Sequence, residues 1–198
     1  MKVIVFSNVF GEATATFIQN EIKHLCKTHE IKYFCTKTNK DNIENFSNIL
    51  EIPYKANTLL EKIRWRLFDK DIYCNLKNKE FSKRLNDQIK QFKPDIIHCH
   101  FGYEAIKLID NIKYDSIPII IHFHGYDASE KLFKKSYVRK LKKILCKSNI
   151  YSIFVTKSLL DNLQNAGINV ANPMILYCGV DTDFFRRMNS IDKADDKK

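Results

Sequence analysis

Short apolar runs alternate with longer amphipathic segments along almost the whole chain, and this alternation constrains the fold more than any other feature. Runs such as Lys2–Phe6 and Glu30–Cys35 have the length and composition of buried strands. Segments such as 16–27 place apolar residues every three or four positions, which predicts helices. Strands joined by helices of this length pair in parallel through right-handed crossovers. The sequence therefore predicts an α/β fold with a doubly wound parallel sheet.

The same pattern predicts the remaining elements. Further strands are predicted over 49–52, 95–99, 118–123, 150–155 and 174–178. Helices are predicted over 57–91, 103–112, 129–147 and 158–166, the last closed by Gly167. The polar tail from Met188 is expected to fray.

Charge and composition narrow the expected partners. Hydrophobic residues make up 44% of the chain and charged residues 28%, which is typical of a globular protein. The net charge of +10 favours anionic partners such as a membrane surface, nucleic acid or a phosphorylated substrate. No recognisable nucleic-acid-binding motif accompanies it, so nucleic acid is not an expected partner. Solvated lysines without a partner are the alternative explanation.

Neither membrane-spanning nor secretory features are apparent in the sequence. No apolar run approaches the ~20 residues that cross a bilayer, and the first apolar run is too short for a signal-peptide core. We therefore predict a cytoplasmic location. The cysteines form no C-x-x-C pair and are expected to be buried free thiols in a reducing compartment. They are Cys26, Cys35, Cys74, Cys99, Cys146 and Cys178.

Four of the six histidines lie at the ends of two predicted strands. His98 and His100 are two residues apart, as are His122 and His124, so each pair projects from one face of its strand. Ligands of such sheets bind at the carboxyl ends of strands. A metal centre is one interpretation, although no carboxylate or cysteine stands at a recognisable ligand spacing, and no metal is assigned. The other is a polar site that binds a sugar or phosphate oxygen.

Five segments, in order, resemble those of family-4 retaining glycosyltransferases. They read TFIQNEI at 16–22, DIIHCHFG at 95–102, HFHGYD at 122–127, VTKSL at 155–159 and ILYCGVDTDFF at 175–185. The resemblance runs from Val3 to Phe185 and is closest to the branch that builds exopolysaccharides of the colanic-acid type. It implies a Rossmann-like domain that forms the N-terminal, acceptor-side half of a GT-B fold.

The resemblance also implies a second, donor-binding domain with an E-x₇-E motif. No two glutamates of the 198 residues have that spacing. The chain is therefore expected to be a truncated or split enzyme that is inactive alone and needs a donor-domain polypeptide. Residues 1–187 would form the acceptor-side domain, and residues 188–198 would begin the inter-domain linker. No cofactor is expected, and a nucleotide-sugar donor is expected only with the second domain.

By resemblance, His124 is the expected catalytic residue and contacts the donor sugar or its phosphate. Gly11 and its neighbours are expected near the diphosphate, and His100, Tyr126 and Asp127 around the acceptor, a glycan or lipid-linked sugar. The full set expected to bind substrate is Gly11, Glu12, His100, Gly102, Gly125, Tyr126, Asp127 and Thr156. The alternative function is a stand-alone α/β metal-dependent hydrolase that uses the paired histidines.

Two basic segments predict peripheral contact with the inner face of a membrane. The first is the predicted helix 129–147, with lysines over one part of its surface and an apolar face packed on the sheet. The second is 62–70, where basic residues flank Trp65. The residues expected on the apolar face of the first helix are Phe133, Tyr137, Leu141, Ile144 and Leu145.

Overall fold

The fold is built around a seven-stranded, fully parallel sheet. The computed structural model describes residues 1–12, 15–39, 46–54, 78–114, 116–179 and 182. The strand order is β5-β3-β1-β6-β7-β8-β9, and β2 pairs separately with β4. The strands are β1 (Lys2–Phe6), β2 (Val9–Phe10), β3 (Glu30–Cys35), β4 (Lys37–Thr38), β5 (Ile49–Glu51), β6 (Ile96–His100), β7 (Ile119–Phe123), β8 (Ile150–Phe154) and β9 (Pro173–Ile175).

Helices connect the strands on both faces of the sheet. Two short 3₁₀ turns, Tyr126–Ala128 and Glu130–Phe133, follow β7. The α-helices of the described residues are α1 (Thr16–Leu25), α2 (Lys79–Phe92), α3 (Gly102–Asn111), α4 (Lys135–Ile144) and α5 (Lys157–Asn165). The predicted doubly wound α/β sheet is confirmed.

Alternation along the strands divides the core into two layers. Ile4 and Phe6 of β1 belong to the larger cluster, which also holds buried residues of α2, α3, α4 and α5. Val3 and Val5 point the other way, into a smaller cluster with Ile18 of α1. One face of the sheet is thus covered mainly by α1. That face matters for function because the histidines of β6 and β7 alternate with residues of the larger cluster and share the α1 face.

The prediction of one long helix over 129–147 is wrong. Lys134 has an extended backbone (φ −90°, ψ 102°) that separates the second 3₁₀ turn from α4. Phe133 therefore falls out of phase with the buried face and is 88% exposed. Lys131, one of the lysines expected on the part of that helix away from the sheet, is fully buried, with its Nζ 4.2 Å from the centre of the Tyr103 ring. Tyr137, Leu141, Ile144 and Leu145 are buried as predicted.

The other predictions have mixed outcomes. Gly167 has φ +71° and follows α5, as expected of a residue that closes a helix. Cys35 and Cys99 are buried, but Cys26, Cys146 and Cys178 are exposed, so the prediction of buried thiols is wrong for these three.

Several predictions fall on residues that the structure does not describe. Cys74, the basic segment 62–70, most of the helix predicted over 57–91 and the tail 188–198 all lie outside the described residues. Within the described ranges, no helix has the length and hydropathy to cross a bilayer.

Candidate functional site

Four histidine side chains form one cluster on the α1 face of the sheet. β6 and β7 are neighbours, and the register places His100 directly beside His122. His98 lies two residues before His100 on β6, and His124 lies two residues after His122, just beyond the end of β7. The ring centres of His98 and His100 lie 4.6 Å apart, and those of His122 and His124 lie 4.2 Å apart. We call these four residues the histidine cluster.

The histidine cluster borders a cleft of about 930 Å³. One wall comes from α1 and includes Phe17 and Glu21, and another comes from residues 176–179, which follow β9. His98, His122 and His124 line the cleft. Clefts of this size hold small-molecule ligands. The position agrees with the rule that ligands of parallel α/β sheets bind beyond the carboxyl ends of strands.

His124 lies just beyond the carboxyl end of β7 and is held by three aromatic neighbours. Its Nε2 is 3.1 Å from Nδ1 of His100, a hydrogen bond whose donor depends on the tautomers. Its ring centre is 4.5 Å from that of Phe17 and 4.9 Å from that of Phe101. The ring orientation is therefore fixed before any ligand binds.

Burial keeps most of the histidine cluster neutral. It lowers the pKa of His124 far below its usual range and that of His122 to about 4, with the other histidines adding to both effects. The pKa of His100 is also well below the ordinary value, again mainly because of burial. At neutral pH these three imidazoles can therefore act as neutral donors and acceptors, or as ligands.

Glu21 of α1 brings a carboxylate to the cluster. Its Oε1 is 3.1 Å from Nδ1 of His98, and its Oε2 is 3.9 Å from Nδ1 of His122. Burial opposes ionisation of Glu21, but the hydrogen bond with His98 and the electrostatic interactions with His98 and His122 outweigh it and lower the pKa of Glu21. The sequence prediction gave Glu21 no role, although it lies in the segment TFIQNEI.

Asp127 links the two loops that follow β6 and β7 through hydrogen bonds. It is fully buried. Its Oδ2 accepts from the backbone N–H of Gly102 at 2.8 Å, and its Oδ1 accepts from the N–H groups of His124 and Gly125 at 3.1 Å each. The hydroxyl of Tyr137 donates to its backbone carbonyl at 2.8 Å. In this structure Asp127 positions the backbone under His124, and its side chain does not face the cleft.

Gly102 and Gly11 stand where a side chain would not fit. A Cβ on Gly102 would collide with the hydroxyl of Tyr137 and the ring of Phe123. Gly11 has φ +78°, and a Cβ there would lie 2.6 Å from the carbonyl oxygen of Asn39. Both glycines are explained by packing, whatever further role they have toward a ligand.

The remaining predicted site residues lie at the surface. Tyr126 is half exposed, and the Nζ of Lys131 lies 5.4 Å from its ring centre. Glu12 is exposed. Thr156 precedes α5, and its hydroxyl is 2.8 Å from that of Ser158. Gly125, with φ +154°, has open space where a side chain would project.

A buried polar network under the β1–α1 loop was missed by the sequence prediction. The carboxylate of Glu104 accepts from the backbone N–H of Asn8, and the Nζ of Lys107 donates to the side-chain oxygen of Asn8. Both charged residues are buried in the first two turns of α3. Their spacing of three on one helix was the available signal. The network fixes the loop that leads to Gly11.

Acid should destabilise the fold through the histidine cluster. In the unfolded chain His122 has its ordinary pKa of 6.5, whereas in the fold its pKa is about 4. Between these values the unfolded state binds a proton that the folded state rejects, so stability falls as the pH falls. His122 alone should account for about 3 kcal/mol, fully present above pH 6.5 and lost by about pH 4.

The check is urea unfolding at several pH values, with a chelator present to keep the imidazoles free of metal. His122→Asn should reduce the loss between pH 6.5 and 4 and leave the part that His100 and His124 contribute, whereas His29→Asn, a change far along the chain from the cluster, should leave the whole loss. Equal slopes for wild type and His122→Asn would show that the buried ring is not the source.

Comparison with known proteins identifies the family. The sequence profile of Glycosyltransferase Family 4 matches residues 14–184. No curated protein matches the chain in a sequence comparison. Because the profile covers most of the chain, this protein belongs to Glycosyltransferase Family 4, and the resemblance expected from the five segments is confirmed at the level of the family. The match favours sugar transfer over the hydrolase alternative.

Solved structures show the same fold at low sequence identity. Sucrose-phosphate synthase from Thermosynechococcus elongatus matches 95% of this chain over 50% of its own, with 13% identity and a TM-score of 0.65. A second chain of that synthase matches 90% of each chain, with 12% identity and a TM-score of 0.58. The lipopolysaccharide outer core galactosyltransferase WaaB has 15% identity and a TM-score of 0.56, over 89% of this chain and 45% of its own.

The fold is shared beyond transferases. UDP-N-acetylglucosamine 2-epimerase from Rickettsia bellii matches 88% of this chain and 44% of its own, with 15% identity and a TM-score of 0.55. This chain thus spans half or less of the longer synthase chain, of WaaB and of the epimerase. The architecture is that of the N-terminal half of GT-B glycosyltransferases, and the reaction has to be argued from the site.

Proposed function

We propose that this domain is the acceptor-side half of a glycosyltransferase that moves a sugar from a nucleotide-sugar to a polysaccharide or lipid-linked acceptor. One observation carries the proposal. His124 lies at the carboxyl end of a central strand and lines a cleft of about 930 Å³. A chain of Glycosyltransferase Family 4 with such a histidine in its cleft has a positioned polar group where sugar or phosphate oxygens would bind.

His124 is suited to bind a sugar hydroxyl or phosphate oxygen as a neutral group. Its pKa lies far below the usual range because it is buried, so it offers a hydrogen bond instead of a positive charge. The hydrogen bond with His100 occupies Nε2, which leaves Nδ1 as the ring nitrogen available to a ligand. A donor held in this way costs no reorganisation as charge develops in the transition state.

The remaining groups of the reaction would come from a second domain. Sugar transfer from a nucleotide-sugar develops charge on both the sugar ring and the departing diphosphate, and stabilising both requires groups on either side of the bond. Within these 198 residues no E-x₇-E pair is available for the donor sugar and ribose. We therefore place donor binding mainly on a partner half and acceptor binding on this one, with the exposed Tyr126 and the partly exposed Thr156 as contacts.

The sequence resemblance and the surface support the proposed acceptor class. The closest resemblance is to the exopolysaccharide branch, in which acceptors are glycans or lipid-linked sugars. The exposed Phe133 lies directly before the basic helix α4, an arrangement that suits a bilayer interface. We propose a cytoplasmic protein that docks at the inner face of the membrane, where a lipid-linked acceptor would be held.

The test is complementation with a donor-binding half. The chain is fused to, or mixed with, the C-terminal half of a GT-B glycosyltransferase, and a labelled nucleotide-sugar is supplied with lipid-linked and polysaccharide acceptors. Labelled sugar should appear in the acceptor only when both halves are present. Label released as free sugar with the same yield, with or without an acceptor, would contradict the proposal.

Membrane docking gives a separate prediction. Each basic residue near an anionic surface contributes about 1 kcal/mol, so α4 should hold the protein on vesicles that contain anionic lipid. Binding should need anionic lipid and fade as salt rises, because the field reaches only ~8 Å at physiological salt. Co-sedimentation across a salt series measures both. The basic residues concerned are the exposed Lys135, Arg139, Lys142 and Lys143.

Matched variants separate docking from general charge. Arg139→Glu with Phe133→Ser should abolish sedimentation, whereas Lys83→Glu on the exposed side of α2 should leave most of it. If the wild-type protein stays in the supernatant at low salt with anionic vesicles, the basic face is solvent-facing charge and the docking proposal fails.

A further inference from the structure

We propose that Glu21, His98, His100 and His122 form a binding site for a divalent transition-metal ion of the zinc class. Each of the four side chains offers a ligand atom, and these atoms all lie within 4.8 Å of one another. Imidazole nitrogens and a carboxylate oxygen are the donor set that zinc takes in proteins. The proposal concerns metal binding and stands independently of the sugar-transfer reaction.

The three imidazoles are close neighbours on the α1 face of the sheet. The ring centres of His98 and His100 are 4.6 Å apart, those of His98 and His122 5.5 Å, and those of His100 and His122 5.7 Å. Zinc–nitrogen bonds of about 2.0–2.1 Å place the nitrogens of a tetrahedral site roughly 3.4 Å apart. Ligand atoms that lie up to 4.8 Å apart would have to approach one another by up to about 1.4 Å to reach that spacing.

Unpartnered ring nitrogens are the second, independent observation. Nε2 of His98, Nε2 of His100 and both ring nitrogens of His122 are buried and have no hydrogen-bond partner. His100 is fully buried. Buried polar groups are nearly always satisfied, so several unpartnered nitrogens on neighbouring rings need an explanation. One metal ion would satisfy a nitrogen on each of the three rings.

The hydrogen bonds around the cluster leave Nε2 free on both His98 and His100. Nδ1 of His98 is 3.1 Å from Glu21, and Nδ1 of His100 is 3.1 Å from His124. Carboxylates that accept from the second nitrogen of a metal-bound imidazole fix its orientation and raise its basicity. Glu21 can therefore serve His98 in this way or ligate the ion directly, and both roles lower affinity when the carboxylate is removed.

Metal binding would also set the tautomer of the residue proposed for catalysis. A neutral imidazole bound through Nε2 carries its proton on Nδ1. With the ion on Nε2 of His100, its Nδ1–H donates to Nε2 of His124, and the proton of His124 then resides on Nδ1. The ion would in this way present His124 to the cleft as a hydrogen-bond donor.

The cleft gives an ion a route to the site. Glu21, His98 and His122 line the cleft of about 930 Å³, and the side chain of Glu21 is 29% exposed. The nitrogen-rich set should select Zn²⁺ or Co²⁺ and reject Mg²⁺, which prefers six oxygen ligands.

The experiment is a zinc titration of the chelator-treated chain. Exposed thiols bind zinc too, so the three cysteines that are exposed in the described part of the chain are first changed in the background Cys26→Ser, Cys146→Ser, Cys178→Ser. Calorimetry should show one equivalent of Zn²⁺, unaffected by excess Mg²⁺. At zinc 100-fold above Kd the Tm should rise by about 5–10 °C. Co²⁺ should give the visible absorption of a tetrahedral site.

Two variants and a control decide where the ion binds. His122→Asn should abolish the bound equivalent and the Tm rise, and His29→Asn should keep both. Because a buried change can harm folding, Glu21→Gln, on the partly exposed side of α1, is the second variant and should weaken binding 10–100-fold. No binding by the folded background protein, or zinc retained at full affinity by both cluster variants, would overturn the proposal, the latter meaning an adventitious ion only.

Discussion

The purified 198-residue chain, mixed with a panel of nucleotide-sugars and lipid-linked acceptors, should release nucleoside diphosphate no faster than a protein-free control. The histidine cluster supplies polar groups on one side of the cleft only. The glutamate pair that would hold the donor sugar and ribose is not present at the required spacing in these residues. Without groups on one side of the bond between the sugar and the diphosphate, the transition state loses much of its stabilisation. That loss corresponds to many powers of ten in rate.

Adding a donor-binding half to the same mixture is the control, since it tests whether the chain is folded and competent. Nucleotide release should then appear and should depend on the acceptor. Weak binding of a nucleotide-sugar by the chain alone agrees with the account, because part of the cleft is present. Robust turnover without a second polypeptide would contradict it.

The sheet could be predicted from sequence because its inner strands β3, β1, β6 and β7 are largely buried on both faces. Each strand then appears as a continuous apolar run, and Lys2–Phe6 and Glu30–Cys35 match β1 and β3 residue for residue. The histidine cluster could also be predicted from the sequence. A separation of two residues puts His98 with His100, and His122 with His124, on one face, and parallel pairing then brings both rows together.

Glu21 could not be assigned from sequence because its contact with His98 spans 77 positions and depends on how α1 lies over the sheet. No carboxylate stands at a recognisable ligand spacing from the histidines along the chain, and Glu21 reaches them from α1, which lies over their face of the sheet. The interruption of the helix at Lys134 was not predicted because the apolar residues on both sides of it keep a helical spacing. The extended backbone of Lys134 leaves no mark in that pattern. Phe133 and Lys131 exchanged their expected environments as a result.

Asp127 shows a different limit of sequence reasoning. Its place beside His124 in HFHGYD made it an expected acceptor contact. The structure instead uses both carboxylate oxygens to hold the backbone N–H groups of Gly102, His124 and Gly125. A motif shows which residues lie together along the chain, and only the fold shows which of them face the ligand.

Replacing His124 by alanine should lower kcat of the complemented enzyme by roughly 10²-fold or more, as removal of a positioned hydrogen-bond donor does. The ring lines the cleft, and Phe17, Phe101 and His100 hold it in place. Its neutral state means that the loss should be similar across neutral pH. Because alanine also removes packing against Phe17, unfolding of the variant has to be followed in parallel so that activity is compared between folded proteins.

The comparison of kcat for wild type, His124→Ala and His29→Ala in the complemented enzyme tests the central claim most directly. We expect kcat to fall by roughly 10²-fold or more in His124→Ala, with the fold retained. We expect His29→Ala to keep the wild-type kcat. Wild-type kcat in folded His124→Ala would contradict the assignment of the histidine-lined cleft as the site of sugar transfer.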